Sequence, residues 1–167
     1  MLAGACVLAG GLSRRFGSDK AVHPVDGQPM LLRVAAALAV AGAEVFVMSR
    51  HVRGVALREV IEMDGPRHPL WGVAEALRHA GGDVLFSPCD LPHLEPDHVR
   101  RLLAAGVPAH AQGQPLFCVV AGGQAELAAQ WAREGRSVQS FMSATQSRPV
   151  VLGELLNLNR PTAAGGG

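Results

Sequence analysis

Ala3-Gly4-Ala5-Cys6-Val7-Leu8-Ala9-Gly10-Gly11 opens the first element of the chain. Ala3 to Leu8 is a short apolar run that ends on two glycines, which is the pattern of a buried strand entering a loop. The same alternation of strand and helix continues outward from it. Met30 to Ala41 has helical composition and stops at Gly42. Ala43 to Met48 is apolar and β-rich, a second buried strand, and Val52 to Glu59 reads as a short helix or turn. Val60 to Met63 gives a third strand, Leu70 to Ala80 an amphipathic helix ending at Gly81-Gly82, and Asp83 to Ser87 a fourth strand. Pro96 to Ala105 is a helix with proline in its first turn. Val107 to Ala111 and Leu116 to Ala121 are two further strands, Gln124 to Arg133 and Ser137 to Thr145 two helices, and Arg148 to Leu152 a late strand.

Near-continuous hydrophobic strands alternating with helices predict an α/β fold, a three-layer sandwich whose central sheet is mostly parallel and covered on both faces. Ligands of such sheets bind beyond the carboxyl ends of the strands. Chemistry is therefore expected after Leu8, Met48, Met63 and Ser87.

Composition narrows the field. The 167 residues suit one domain, taken as 1–162, with 163–167 as a frayed tail. Hydrophobic residues make up 49% of the chain, enough for a real core, and Ala, Val and Leu dominate it. A net charge of +1 with no basic tract argues against a nucleic-acid partner. The longest apolar run, Val34 to Ala43, is half of the roughly 20 residues a membrane span needs. No basic segment precedes the apolar N-terminus, so a strand is expected there rather than a signal peptide. Cys6, Cys89 and Cys118 are odd in number and far apart, the pattern of buried thiols in a reducing cytoplasm. His93 and His98 lack metal-ligand spacing and read as surface residues.

The loop after the first strand runs Leu8-Ala9-Gly10-Gly11-Leu12-Ser13-Arg14-Arg15-Phe16-Gly17-Ser18-Asp19-Lys20. Gly10 and Gly11 allow close backbone approach to a ligand, and successive N–H groups in such a turn form an anion nest. Arg15 and Lys20 would place positive charge over a triphosphate. The segment has neither the Gly-Lys-Ser/Thr ending of a P-loop nor a GxGxxG, so neither of those sites is predicted.

This loop resembles the signature of molybdenum cofactor guanylyltransferases, Leu-Ala-Gly-Gly-x-Ser-x-Arg-Met/Phe-Gly-x-Asp-Lys, at every specified position. The resemblance implies the Rossmann-like fold of sugar-nucleotide-type nucleotidyltransferases. It implies that Leu8, Ala9, Gly10 and Gly11 meet a guanine nucleotide, and that Arg15 and Lys20 hold its phosphates. The related cytidylyltransferases usually carry Leu-Ala-Ala-Gly, so Gly10 leans toward GTP.

After the fourth strand comes Ser87-Pro88-Cys89-Asp90-Leu91-Pro92. A carboxylate at a strand's carboxyl end, fixed between prolines, is well placed to hold Mg²⁺, which takes oxygen ligands and usually bridges one or two carboxylates to substrate phosphates. A turn or cap role for Asp90 is the alternative, but cap candidates lie later, around Glu95. The motif resembles the family's Pro-Cys-Asp-x-Pro, whose Asp binds the metal.

Other segments follow the family in order. Pro69-Leu70-Trp71-Gly72 resembles its Gly-Pro-Leu-x-Gly segment, which implies that Pro69 and Gly72 lie against the guanine. Trp71 itself reads equally as a core residue. Asn157 and Asn159 resemble the closing Asn-x-Asn-x-Pro, which implies Asn159 beside the metal and Asn157 beside the acceptor; a simple turn is the other reading. Gln114-Pro115 resembles an acceptor-side His-Pro. Arg136 resembles an acceptor-phosphate Arg, and reads equally as an exposed residue at a helix start. The chain departs from the family after the second strand, where Met48-Ser49 replaces an Asn. It departs again after the third, where Asp64 stands one residue from the family's Asp and is expected to grip the guanine amino groups. The family's C-terminal helix is expected to be missing.

The resemblance thus implies transfer of GMP from GTP to molybdopterin or its molybdenum form, with Mg²⁺ and release of pyrophosphate. Molybdopterin-delivering and molybdoenzyme-maturation proteins are the implied partners. Two alternatives stay open: an enzyme using CTP or a sugar-phosphate acceptor, and a catalytically silent nucleotide-binding module.

Overall fold

A computed structural model describes residues 1–10, 20–153 and 155. Strand β1 (Gly4–Leu8) is followed by a 3-10 turn at Lys20–Val22 and a small hairpin, β2 (Pro24–Val25) and β3 (Gln28–Pro29). Helix α1 (Met30–Leu38), β4 (Val45–Ser49), β5 (Arg58–Ile61), α2 (Pro69–Ala80), β6 (Val84–Pro88) and α3 (Pro96–Ala104) come next. β7 (Ala109–Ala111), β8 (Gln114–Val120), α4 (Ala125–Arg133), α5 (Val138–Ala144) and β9 (Arg148–Val150) complete the order.

Seven strands form one sheet in the order β5-β4-β1-β6-β8-β7-β9. The β5-β4-β1-β6 half is parallel throughout, and β8 then runs antiparallel to both β6 and β7. Strand side chains alternate between faces, and here both faces are covered. Val7 and Leu85 belong to one core with Leu31, Val34 and Leu38 of α1 and Val99 and Leu102 of α3. Cys6, Phe86 and Cys118, register partners across β1, β6 and β8, belong to the other core with residues of α2, α4 and α5. The expected three-layer, mostly parallel α/β architecture is present.

Local chemistry sets the element ends. Pro69 occupies the first turn of α2, whose N-terminal amide at Leu70 donates to His68 Nδ1 (3.1 Å). Gly81 closes the helix at φ 74°, a conformation that only glycine adopts without cost. At α3, His98 Nδ1 accepts from the Glu95 amide (3.0 Å), so His98 serves the helix start. The three cysteines are buried and reduced, and burial pushes the Cys6 and Cys118 thiols up.

Of the two readings of Val52 to Glu59, the turn is the one present: the Glu59 carboxylate accepts from the Arg53 and Gly54 amides (2.7 and 2.9 Å), and β5 starts at Arg58, inside the stretch. The bounds of the third strand need correction, and one hairpin was missed. β5 therefore ends at Ile61 rather than Met63, and Met63 is exposed. The β2–β3 hairpin was hidden in Val25-Asp26-Gly27-Gln28, where Asp26 and Gly27 both have positive φ; Asp-Gly is the usual sequence of such a turn.

Candidate active site

β1 lies in the parallel half between β4 and β6, and its carboxyl end lies beside the loop that carries Asp90. Leu8 is in register with Met48 of β4 and with Pro88 of β6. One residue on, the Ala9 amide donates to Met48 O (2.9 Å), and the Cys89 amide donates to Leu8 O (3.1 Å). Neighbouring strands are about 4.8 Å apart. The backbone at Ala9-Gly10 and the Cys89-Asp90 peptide are therefore side by side on one sheet edge.

Asp90 is 8% exposed, and its Oδ1 is shielded from solvent. The loop that carries it is anchored. Leu91 and Leu94 are buried, the Leu94 amide donates to Leu91 O (3.1 Å), and Arg33 of α1 donates through Nε to Pro92 O (3.1 Å). A carboxylate held on so fixed a loop loses little freedom on taking a ligand. Ala21, in the 3-10 turn that Lys20 opens, is buried in the same core as Cys89 and Leu91. The side chain of Lys20 lies outside the described residues, as do Gly11, Arg15, Asn157 and Asn159.

The start of α2 reaches the same edge. A Cβ on Gly72 would lie 3.2 Å from Leu8 Cδ2, so helix and loop touch there. Pro69, at the helix start, is exposed. Trp71 is 6% exposed and donates from Nε1 to Met63 O (3.0 Å), so it packs as a core residue that ties the β5–α2 connection. β8 runs antiparallel to β6, which brings Gln114 to this end of the sheet; its Nε2 donates to Leu155 O (3.1 Å). Arg136 is exposed after α4, stacked 4.0 Å above the Trp131 ring and 3.6 Å from Glu134. Asp64 is exposed on the β5–α2 connection.

Sequence reasoning missed three residues here. Glu62, the first residue past β5, has a side chain 6% exposed, with Oε1 3.7 Å from Arg50 Nη2. Burial raises its carboxyl above the ordinary range against the pull of Arg50, and Glu75 adds to the rise. Arg50 also donates to the carbonyls of Pro66 (2.6 Å) and Gly65 (3.3 Å). Arg53 Nη2 donates to Ala9 O (2.8 Å), bringing a guanidinium to the root of the first loop. Placing the end of the third strand at Met63 had put Glu62 inside the strand; the Glu59 contacts with Arg53 and Gly54 were the signal for an earlier start.

Among the described residues no cluster of three or more His, Cys, Asp or Glu could hold a metal, and no helix is long and apolar enough to cross a membrane. A lone carboxylate oxygen donor still fits Mg²⁺, which draws much of its coordination from water and substrate phosphates.

Residues 5–152 match the family model described as a MobA-like NTP transferase domain. The chain belongs to this family. A probable molybdenum cofactor guanylyltransferase of Pelotomaculum thermopropionicum is 34% identical over 128 residues, covering 70% of this chain and 62% of the relative. One of Deinococcus radiodurans is 38% identical over 114 residues, covering 67% and 59%. The chain thus spans about three fifths of the length of these two curated relatives. The crystal structure of molybdopterin-guanine dinucleotide biosynthesis protein A from Archaeoglobus fulgidus superimposes with a TM-score of 0.77 at 18% identity, covering 95% of this chain and 93% of that one. At that identity the likeness bears on the fold alone, which is shared across nearly the whole chain.

Proposed function

We propose that this MobA-like chain transfers GMP from GTP to molybdopterin or its molybdenum form. The observation that carries the reading is the nearness of the root of the first loop, Leu8 to Gly10, to the Asp90 loop on one sheet edge, joined by the Cys89–Leu8 hydrogen bond. The names of the curated relatives, probable molybdenum cofactor guanylyltransferases, support guanine as the base and the molybdenum cofactor as the acceptor.

An oxygen of the acceptor's terminal phosphate attacks the α-phosphorus of GTP. The new P–O bond forms as the bond to the β-phosphate breaks, and pyrophosphate leaves with the electron pair. Phosphate is a nucleophile near neutral pH, so positioning and charge neutralisation carry the rate. Leu8, Ala9, Gly10 and Gly11 cradle the nucleotide, with Pro69 and Gly72 behind the base. Arg15 and Lys20 hold the departing phosphates. Asp90, with Asn159, would hold Mg²⁺, which would supply positive charge to offset that of the phosphates. Asn157, Gln114 and Arg136 face the acceptor. Molybdopterin-delivering and molybdoenzyme-maturation proteins would hand over substrate and product in the cytoplasm.

The test is to incubate the chain with molybdopterin, Mg²⁺ and GTP, CTP or UTP in turn, and to identify the dinucleotide formed. Molybdopterin guanine dinucleotide as the dominant product is expected. A cytosine product, or nucleotide binding without pyrophosphate release, overturns the assignment.

A further inference from the structure

We propose that Arg33 is a positioning residue for the candidate site. From α1 it ties the β2–β3 hairpin, which follows the first loop, to the loop that carries Asp90, and so holds two parts of the site at a fixed separation. The inference rests on the metal–nucleotide reading above and adds to it a residue that acts through others.

Leu31 and Val34 of α1 are buried in the same core as Ala21, Cys89, Leu91 and Leu94. Arg33 stands between them in sequence, at the rim of that core, with its side chain 26% exposed. Its Nε donates to Pro92 O (3.1 Å), two residues past Asp90. Its Nη1 donates to Val25 O (3.5 Å) and stands 3.6 Å from Asp26 Oδ2. Both acceptors are backbone carbonyls, so the ties fix the course of the chain rather than a side chain. The hairpin is held to α1 a second time, where the Met30 amide donates to His23 O (2.9 Å).

Nε and Nη1 belong to one planar, always-charged group, which sets the angle between the two ties as well as their lengths. Lys20 opens the 3-10 turn that leads into the hairpin, and Asp90 lies just before Pro92. A shift at Val25 or at Pro92 therefore changes the distance between the cation expected on the phosphates and the carboxylate expected on the metal. A misplacement of about 1 Å, even from a change far from the chemistry, can cost about 100-fold in rate. The ion pair with Asp26 is not what holds the two segments. Asp26 is 76% exposed, and pairs so exposed add little. The hydrogen bonds from a charged donor to the two carbonyls are the stronger ties.

The test compares wild type, Arg33→Lys, Arg33→Gln and Asp26→Asn in the full chain. It reads Mn²⁺ affinity in the presence of GTP by electron paramagnetic resonance, kcat and KM for GTP against Mg²⁺ concentration, and the melting temperature. Arg33→Gln is expected to weaken Mn²⁺ about 10-fold and to lower kcat about 10- to 100-fold, with KM for GTP changing less than kcat. Arg33→Lys keeps one tie but not both, so it is expected to recover the melting temperature and leave Mn²⁺ affinity and kcat low. Asp26→Asn, at a positive φ that Asn also adopts, is expected to match wild type throughout. Should Arg33→Gln fail to fold, Arg33→Lys carries the test. Wild-type Mn²⁺ affinity and kcat in Arg33→Lys overturn the inference, and so does an Arg33→Gln that loses melting temperature alone. A wild-type chain whose turnover needs no divalent metal overturns the metal reading itself, and this inference with it.

Discussion

Gly65→Ala is the sharpest test of how the β5–α2 connection is held. A Cβ there would lie 2.2 Å from Trp71 Cε2, 2.5 Å from Cζ2 and 2.6 Å from Nε1. The indole cannot yield cheaply. It is 6% exposed, and its Nε1–H donates to Met63 O at 3.0 Å, within the same connection. Overpacking of this kind costs about 1–3 kcal/mol, and a displaced indole forfeits a hydrogen bond worth about 1 kcal/mol. The sum is about 2–4 kcal/mol, which for a domain of this size lowers the melting temperature by about 4–16 °C. Calorimetry reads the midpoint, and Trp fluorescence reports the ring, with Trp131 as the second emitter. In a Trp71→Leu background the same alanine should cost less than about 1 kcal/mol, because the obstructing ring is gone. Equal costs in both backgrounds, or an unshifted midpoint in the single variant, would refute the reasoning.

Asp90→Asn keeps shape and removes charge; we expect turnover to fall at least about 100-fold with circular dichroism unchanged, and near-normal turnover would remove Asp90 from the metal site. Burial raises the Glu62 carboxyl, so the folded chain binds that proton more tightly than the unfolded chain. Its stabilising contribution is full below the ordinary carboxylate value of 4.5 and is lost as pH rises through the raised one. Glu62→Gln should therefore melt higher than wild type at pH 7, with the gap closing by pH 4; a gap that widens on acidification contradicts this. Gly122→Ala would put a Cβ 2.7 Å from the Gly82 backbone, which cannot rotate aside, so it should destabilise the chain by at least about 1–3 kcal/mol in urea unfolding.

The apolar runs at Ala3–Leu8, Ala43–Met48 and Asp83–Ser87 made the parallel half of the sheet legible, because strands buried on both faces leave no polar alternation to confuse them with surface elements. Pro69 and Pro96 marked helix starts for a local reason, their fixed φ and missing donor. The place of Asp90 just past β6 was legible because its prolines and the strand end are adjacent in sequence. Glu62 was not: its place depends on where β5 begins, which the Glu59 carboxylate settles through contacts with the amides of Arg53 and Gly54. Arg53 was missed for a related reason, since its partner Ala9 is 44 residues away. Antiparallel β8 was unreadable because strand direction depends on tertiary pairing rather than on composition.

The central claim is that the first loop and Asp90 make one metal–triphosphate site. Titrating Mn²⁺ into the chain with GTP bound, and following paramagnetic relaxation of the three phosphorus nuclei, tests it directly. Strong relaxation of the α-phosphorus that is lost in Asp90→Asn, at unchanged fold, is the predicted result. Equal Mn²⁺ affinity and equal relaxation in wild type and variant would contradict it.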